Sequence, residues 1–122
     1  DEVARVLDAA DPRVVKLELD TAHYAQAGGD LAAAVETYKN RLLFLHVKDL
    51  ESPVPGRGAE SYRFVELGRG RLDFPAFFAA LARARFEGWA IVELDQVPDP
   101  SRTPKESGLI ARRYLESQGF TL

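Results

Sequence analysis

The stretch Leu42-Leu43-Phe44-Leu45-His46-Val47-Lys48-Asp49 reads as a short apolar strand that turns polar at its carboxyl end. The same pattern recurs on either side of it. Upstream, Val14-Val15-Lys16-Leu17-Glu18-Leu19 runs into Asp20, and downstream Trp89-Ala90-Ile91-Val92 runs into Glu93. Short apolar runs separated by helical patterns mark parallel strands of βαβ units. The polar residues that close the runs, Asp20, His46 and Glu93, are all able to ligate a metal ion.

The segments between the runs carry helix signals. Val3, Val6, Leu7 and Ala10 have the spacing of one helix face, closed by Asp11-Pro12. The first strand is expected from Val14 to Asp20, followed by a loop with Gly28-Gly29. Asp30 then caps a helix that buries Leu31, Val35 and Tyr38. After the second strand, residues 51–72 hold Pro53, Pro55, Gly56, Gly58, Gly68 and Gly70 and read as one long loop, a feature usually kept for function. Asp73 caps a helix burying Phe74, Phe77, Phe78 and Leu81, and Gly88 ends that unit. The third strand is expected from Trp89 to Leu94. Thr103-Pro104-Lys105-Glu106 combines proline at the first helical position with a capping box. Leu109, Ile110 and Tyr114 supply that helix with an apolar stripe, and Gly119 stops it.

This order, a helix and then three strand–helix units, makes an α/β chain with three parallel strands. It suits either an open doubly wound sheet or part of a (β/α)8 barrel. No Gly-x-Gly-x-x-Gly joins a strand to a helix, which weighs against dinucleotide binding. A complete barrel takes about 250 residues, so a chain of 122 would be close to its carboxyl-terminal half. The absence of any methionine, with Asp1 as first residue, agrees with a part of a longer protein.

Composition narrows the partners. A net charge of −3 offers no positive footprint for nucleic acid and no basic face for a membrane. No run approaches the roughly 18 apolar residues of a membrane span, and no signal peptide is visible. The chain has no cysteine, so it builds no disulfide framework and no thiolate metal site. A cytoplasmic setting fits that composition.

In a barrel the chemistry gathers at the carboxyl ends of the strands. Asp20, His46 and Glu93 would converge there as an oxygen and nitrogen set for Mn²⁺, Mg²⁺ or Co²⁺ rather than a closed structural zinc site. Each has a blander reading. Asp20 could cap a turn with His23 as a plain loop residue, and His46 could be a satisfied core histidine. Glu93 resists that treatment, because a buried carboxylate without a partner is costly. Lys48 and Asp49 make the second strand end unusually polar. In Gly68-Arg69-Gly70-Arg71 a guanidinium could reach an anionic or polyol oxygen, or the four could form a solvated turn. The Phe74, Phe77 and Phe78 cluster is core packing.

Four segments in order carry a resemblance: Leu19-Asp20-Thr21-Ala22-His23; Leu45-His46-Val47-Lys48-Asp49; Glu66-Leu67-Gly68-Arg69-Gly70 with Asp73-Phe74; and Gly88-Trp89-Ala90-Ile91-Val92-Glu93. Together they resemble the sugar phosphate isomerase/epimerase family, the xylose-isomerase-like TIM barrels. The likeness spans residues 1–122 as a single partial domain, the last three strand–helix units of the barrel.

The resemblance implies that Asp20, His46 and Glu93 are three of four metal ligands, with Glu93 also the catalytic acid/base. It implies substrate contacts for His23 and Arg69, and Lys48 is placed with them. The fourth ligand, a glutamate, is expected from an earlier strand outside this chain, since Glu18 lies inside its strand rather than at the end. The implied chemistry is proton abstraction beside a carbonyl through an enediolate, in a sugar or sugar-phosphate isomerase or epimerase. His23 to Asp30 and Glu93-Leu94-Asp95-Gln96 look most like inosose dehydratases, lyases that remove water from a keto-inositol. Two histidines and an acidic balance disfavour the apurinic endonucleases of the same barrel family. A non-catalytic half-barrel is the remaining alternative. The expected partners are a small sugar or polyol and either a second copy or the missing amino-terminal half, whose place the open strand edges would offer.

Overall fold

The computed structural model describes residues 2–122. Helix α1 (Glu2–Ala9) leads into β1 (Leu17–Asp20), α2 (Thr21–Gln26) and α3 (Leu31–Tyr38). Strand β2 (Leu42–Val47) follows, then β3 (Asp49–Glu51) and β4 (Arg63–Val65). The chain ends with α4 (Phe74–Arg83), β5 (Trp89–Val92) and α5 (Pro104–Ser117). Strands β1, β2 and β5 form one parallel sheet with β2 in the centre, and β3 pairs antiparallel with β4. The three parallel strand–helix units preceded by a helix are therefore present as a partial half-barrel.

The capping residues read from the sequence start their helices. Asp30 accepts from Ala33 N at 2.9 Å, and Asp73 from Ala76 N at 3.0 Å. Thr103 and Glu106 close a reciprocal capping box. Gly119 takes φ +92° just past α5, a conformation that glycine adopts freely.

Five expectations are corrected. Strand β1 begins at Leu17, not Val14, because residues 11–15 close a turn. In it the Val14 and Val15 amides both donate to Asp11 O, at 3.1 and 2.9 Å. The loop after Asp20 opens as helix α2, started by Asp20 itself. The long loop of residues 51–72 contains β4, paired with β3. In α5 the buried residues are Ser107 and Ala111, flanked by half-buried Ile110 and Tyr114, while Leu109 faces water. On α1, likewise, Leu7 is buried but Val3 and Val6 are exposed.

The core lies between the sheet and its helices. Leu19, Leu45 and Val47 meet Leu31, Val35, Phe74 and Phe77, all buried, with Phe78 and Leu81 partly so. Burying each large side chain stabilises by roughly 1.5–3 kcal/mol. The other parts of the sheet are open. Trp89 is 73%, Ile91 44% and Val92 41% exposed. On the helix side, an open apolar cavity of about 750 Å³ between β2, β5, α4 and α5 is lined by residues including Phe78, Phe86, Val92 and Leu115.

Candidate metal centre

Parallel register sets the site. Asp20 pairs with His46 across β1 and β2, and His46 with Ile91 across β2 and β5. Glu93 follows β5 directly, its amide donating to Val47 O at 3.2 Å. The three side chains thus leave neighbouring strands at one end of the sheet. One donor atom from each of Asp20, His46 and Glu93 lies within 4.8 Å of the others, and all three residues are half-buried.

Asp20 divides its two oxygens. Oδ1 accepts from His23 N at 2.9 Å and starts α2, while Oδ2 lies 3.6 Å from Lys48 Nζ and 3.9 Å from His23 Nε2. Both readings of Asp20 hold in the geometry: it caps a turn of helix and it faces the cluster. Thr21, wholly buried, donates to Lys48 O at 2.6 Å and accepts from Lys48 N at 2.9 Å. This hydroxyl ties the ends of β1 and β2 together.

The donor set fits a divalent cation. Glu93 Oε2 is buried and accepts no hydrogen bond, although His46 Nδ1 stands 2.9 Å away and Lys48 Nζ 3.2 Å. That spacing is one that two ligands of a single ion can share. Two carboxylates and one imidazole are also the donors preferred by Mn²⁺-like ions over thiophilic metals. Glu18 Oε1 comes to 3.4 Å from His46 Nδ1, closer than its mid-strand position suggested.

Lys48 is the cation inside the cluster. Its side chain is 3% exposed and donates to Asp95 Oδ1 at 3.1 Å. Nζ also sits 4.6 Å from the centre of the Phe64 ring. Burial works against its charge, but its hydrogen bond to Asp95 and the nearby carboxylates of Glu93 and Asp20 outweigh that, so its pKa rises. His23, by contrast, is a mainly exposed side chain whose ring meets Phe64 edge-on at 5.3 Å.

Two buried carboxylates organise the loop that carries Arg69. Asp49, 1% exposed, accepts from the amides of Leu50 at 2.8 Å, Gly68 at 3.0 Å and Gly70 at 2.9 Å, with Leu72 at 3.4 Å. Burial raises its pKa, and those amides offset part of the rise. Glu66, 2% exposed, accepts from Ser107 at 2.8 Å and from Arg102 Nε and Nη2 at 2.9 and 3.2 Å. Arg69 itself is exposed and borders a polar groove of about 400 Å³. Thr21 and Phe64 were not singled out by sequence reasoning, since partners some 20 residues or more away give no local signal. Asp49 and Glu66 stood within the segments that carry the resemblance, Asp49 also as a polar strand end, with no role of their own.

Comparison with known proteins agrees with this fold. The inosose dehydratase of Bacillus velezensis is 32% identical over 128 residues, which span 97% of this chain and 43% of that protein. A sugar phosphate isomerase/epimerase from Parabacteroides distasonis superposes with a TM-score of 0.71 at 27% identity, over 91% of this chain and 34% of that one. The D-allulose 3-epimerase of Methylomonas sp., solved in complex with D-allulose, gives 0.66 at 26% identity over 95% and 40%. The chain thus spans less than half the length of the curated relatives it matches. The family model of the xylose isomerase-like TIM barrels matches residues 1–114, and with its parallel sheet and strand-end cluster the chain belongs to that family.

Proposed function

We propose that the protein containing this chain is a metal-dependent enzyme that removes a proton beside the carbonyl of a sugar or polyol, and that its substrate is an inosose, from which it eliminates water. The observation that carries the reading is the convergence of Asp20, His46 and Glu93. Inosose dehydratases at about 30% identity support the substrate class. Residues 1–122 act as one partial domain, and a fourth ligand is expected from the rest of the barrel.

A divalent cation (Mn²⁺, Mg²⁺ or Co²⁺) held by Asp20, His46 and Glu93 supplies polarisation of the substrate carbonyl. Glu93 is the base: with one carboxylate oxygen turned to the cation, the other takes the proton from the adjoining carbon, a role worth about 10²–10⁴-fold. Lys48 holds a fixed positive charge 3.2 Å from Glu93 Oε2, where negative charge passes between substrate and carboxylate. His23 and Arg69 orient hydroxyl groups. Isomerisation, epimerisation and dehydration share this first proton transfer, so the structural likeness to a D-allulose epimerase favours a second reading, 3-epimerisation of a ketose.

The net charge of −3 supports a small polyol rather than nucleic acid as partner, and no helix among the described residues is long and apolar enough to cross a membrane. A cytoplasmic site of action is part of the proposal. The test is to incubate the whole protein with Mn²⁺ and an inosose and follow the ultraviolet absorbance of the dehydrated product, with D-allulose in a parallel arm. Turnover of the inosose is expected. Turnover of D-allulose alone would move the assignment to the epimerase, and turnover of neither would refute the reading.

A further inference from the structure

Arg69 combines a clamped backbone with a side chain that makes no hydrogen bond among the described residues, its charge acting on Asp99 across the groove. The amides on either side of it, Gly68 and Gly70, both donate to one atom, Asp49 Oδ2, at 3.0 and 2.9 Å. Its own amide donates to Glu66 O at 3.0 Å, and that of Arg71 to Leu50 O at 2.9 Å. The fit around Gly70 is close: a Cβ there would run into Asp49 Oδ1 and the Leu50 carbonyl. Yet among the described residues the Arg69 guanidinium has no hydrogen-bond or ion-pair partner. The other two arginines of the groove are engaged, Arg63 with Glu51 at 2.6 Å and Arg102 with Glu66 at 2.9 Å. That groove shares Glu66 with a smaller cleft lined by Glu93.

We infer that Asp49 is a positioning residue, which acts through the Gly68–Leu72 amides to hold Arg69 pre-set toward substrate. A carboxylate suits this work because it has acceptor sites for several N–H groups at once. Fixing the loop before binding removes an ordering cost that would otherwise weaken affinity. An asparagine of the same shape replaces one acceptor with a donor aimed at amides, and so loosens the loop without removing volume. The inference rests on the sugar-enzyme reading, and part of its test is independent of turnover.

The experiment uses the whole protein with Mn²⁺ and an inosose. Asp49→Asn is expected to raise KM about tenfold with kcat changed less than threefold, because a contact made equally in ground and transition states affects binding alone. In an Arg69→Ala background the same substitution should change KM less than twofold, since its target is gone. A full tenfold effect there would show that Asp49 acts elsewhere and overturn the inference. Independently, ¹⁵N relaxation should show the Arg69 backbone amide becoming mobile in Asp49→Asn while those of Leu45 and Val47 stay rigid. An unchanged Arg69 amide would overturn it even where no sugar is turned over, an outcome that would separately sink the proposed activity. Should Asp49→Asn fail to fold, Gly70→Ala, which presses on the same carboxylate, is expected to give the same KM and relaxation changes.

Discussion

At Lys48, Asp49 and Glu66 three charged side chains are almost wholly removed from water, whereas at Trp89, Ile91 and Val92 three large apolar ones are left in it. The inversion separates groups that have their partners inside the chain from groups that do not. These three buried charges find partners among the described residues: Lys48 with Asp95, Asp49 with four amides, Glu66 with Arg102 and Ser107. Among the described residues the β5 edge has no such completion, since neither its backbone edge nor its apolar faces are covered. Polar loops can be locked by local bonds, while a sheet needs a neighbouring strand.

The contrast can be broken most severely at the finished end. Glu93→Gln in the whole protein removes the proposed proton acceptor with little change of shape, and kcat should fall by about 10²–10⁴-fold or more. Circular dichroism should remain that of the parent. Substantial residual turnover would show that Glu93 is not the base.

Next in size is a core deletion. Phe77→Ala empties a wholly buried site in contact with Phe74 and Phe78 and should cost about 3–5 kcal/mol in a denaturant titration. A loss below about 1 kcal/mol would mean that the core is not packed as described.

Glu66 gives a smaller effect with a definite pH sign. Burial opposes its ionisation, but the bonds from Ser107 and Arg102 prevail and hold its pKa below the ordinary value. The stability this contributes is present in full above the unfolded value, about 4.3, and is lost as pH falls through the folded one. Glu66→Gln should therefore cost roughly 1.5–3 kcal/mol at neutral pH and flatten the acid limb of the stability curve. Asp49 carries the opposite sign: its raised pKa favours the fold at low pH, and that contribution is lost as pH rises through the folded value. Asp49→Asn should flatten the curve the other way. The smallest stability change belongs to the unfinished edge. Ile91→Lys should alter stability by no more than about 0.5 kcal/mol. It should nonetheless shift the purified 122-residue chain from associated species toward monomer in sedimentation, because exposed apolar patches and strand edges drive pairing. Unchanged sedimentation would show that this edge takes no part in association.

How legible each region was follows from the range of its interactions. Helix starts at Asp30, Asp73 and Thr103 rest on bonds three residues long and were readable. Strand cores at Leu45 and Val47 declared themselves by composition. Val14 did not, since an apolar residue in a turn looks the same as one in a strand, and only the bonds to Asp11 decide. The β3–β4 pairing was hidden because three-residue strands separated by a proline- and glycine-rich loop carry no period. The ends of the three strands named Asp20, His46 and Glu93 as candidates, but nothing local revealed Thr21 bridging to Lys48 or Asp49 gathering the amides of a distant loop.

One carboxylate, that of Asp20, starts α2 with one oxygen and turns the other toward His23, Lys48 and the donor cluster. Its tolerance to substitution is therefore narrower than either task alone would impose. Asparagine or serine preserves the helix start and discards the anion. Glutamate preserves the anion but carries it one methylene farther from the His23 amide. Among the common amino acids only aspartate meets both demands at once, so in a saturation scan scored by turnover this position should accept almost nothing, even though a scan scored by folding alone would accept several residues.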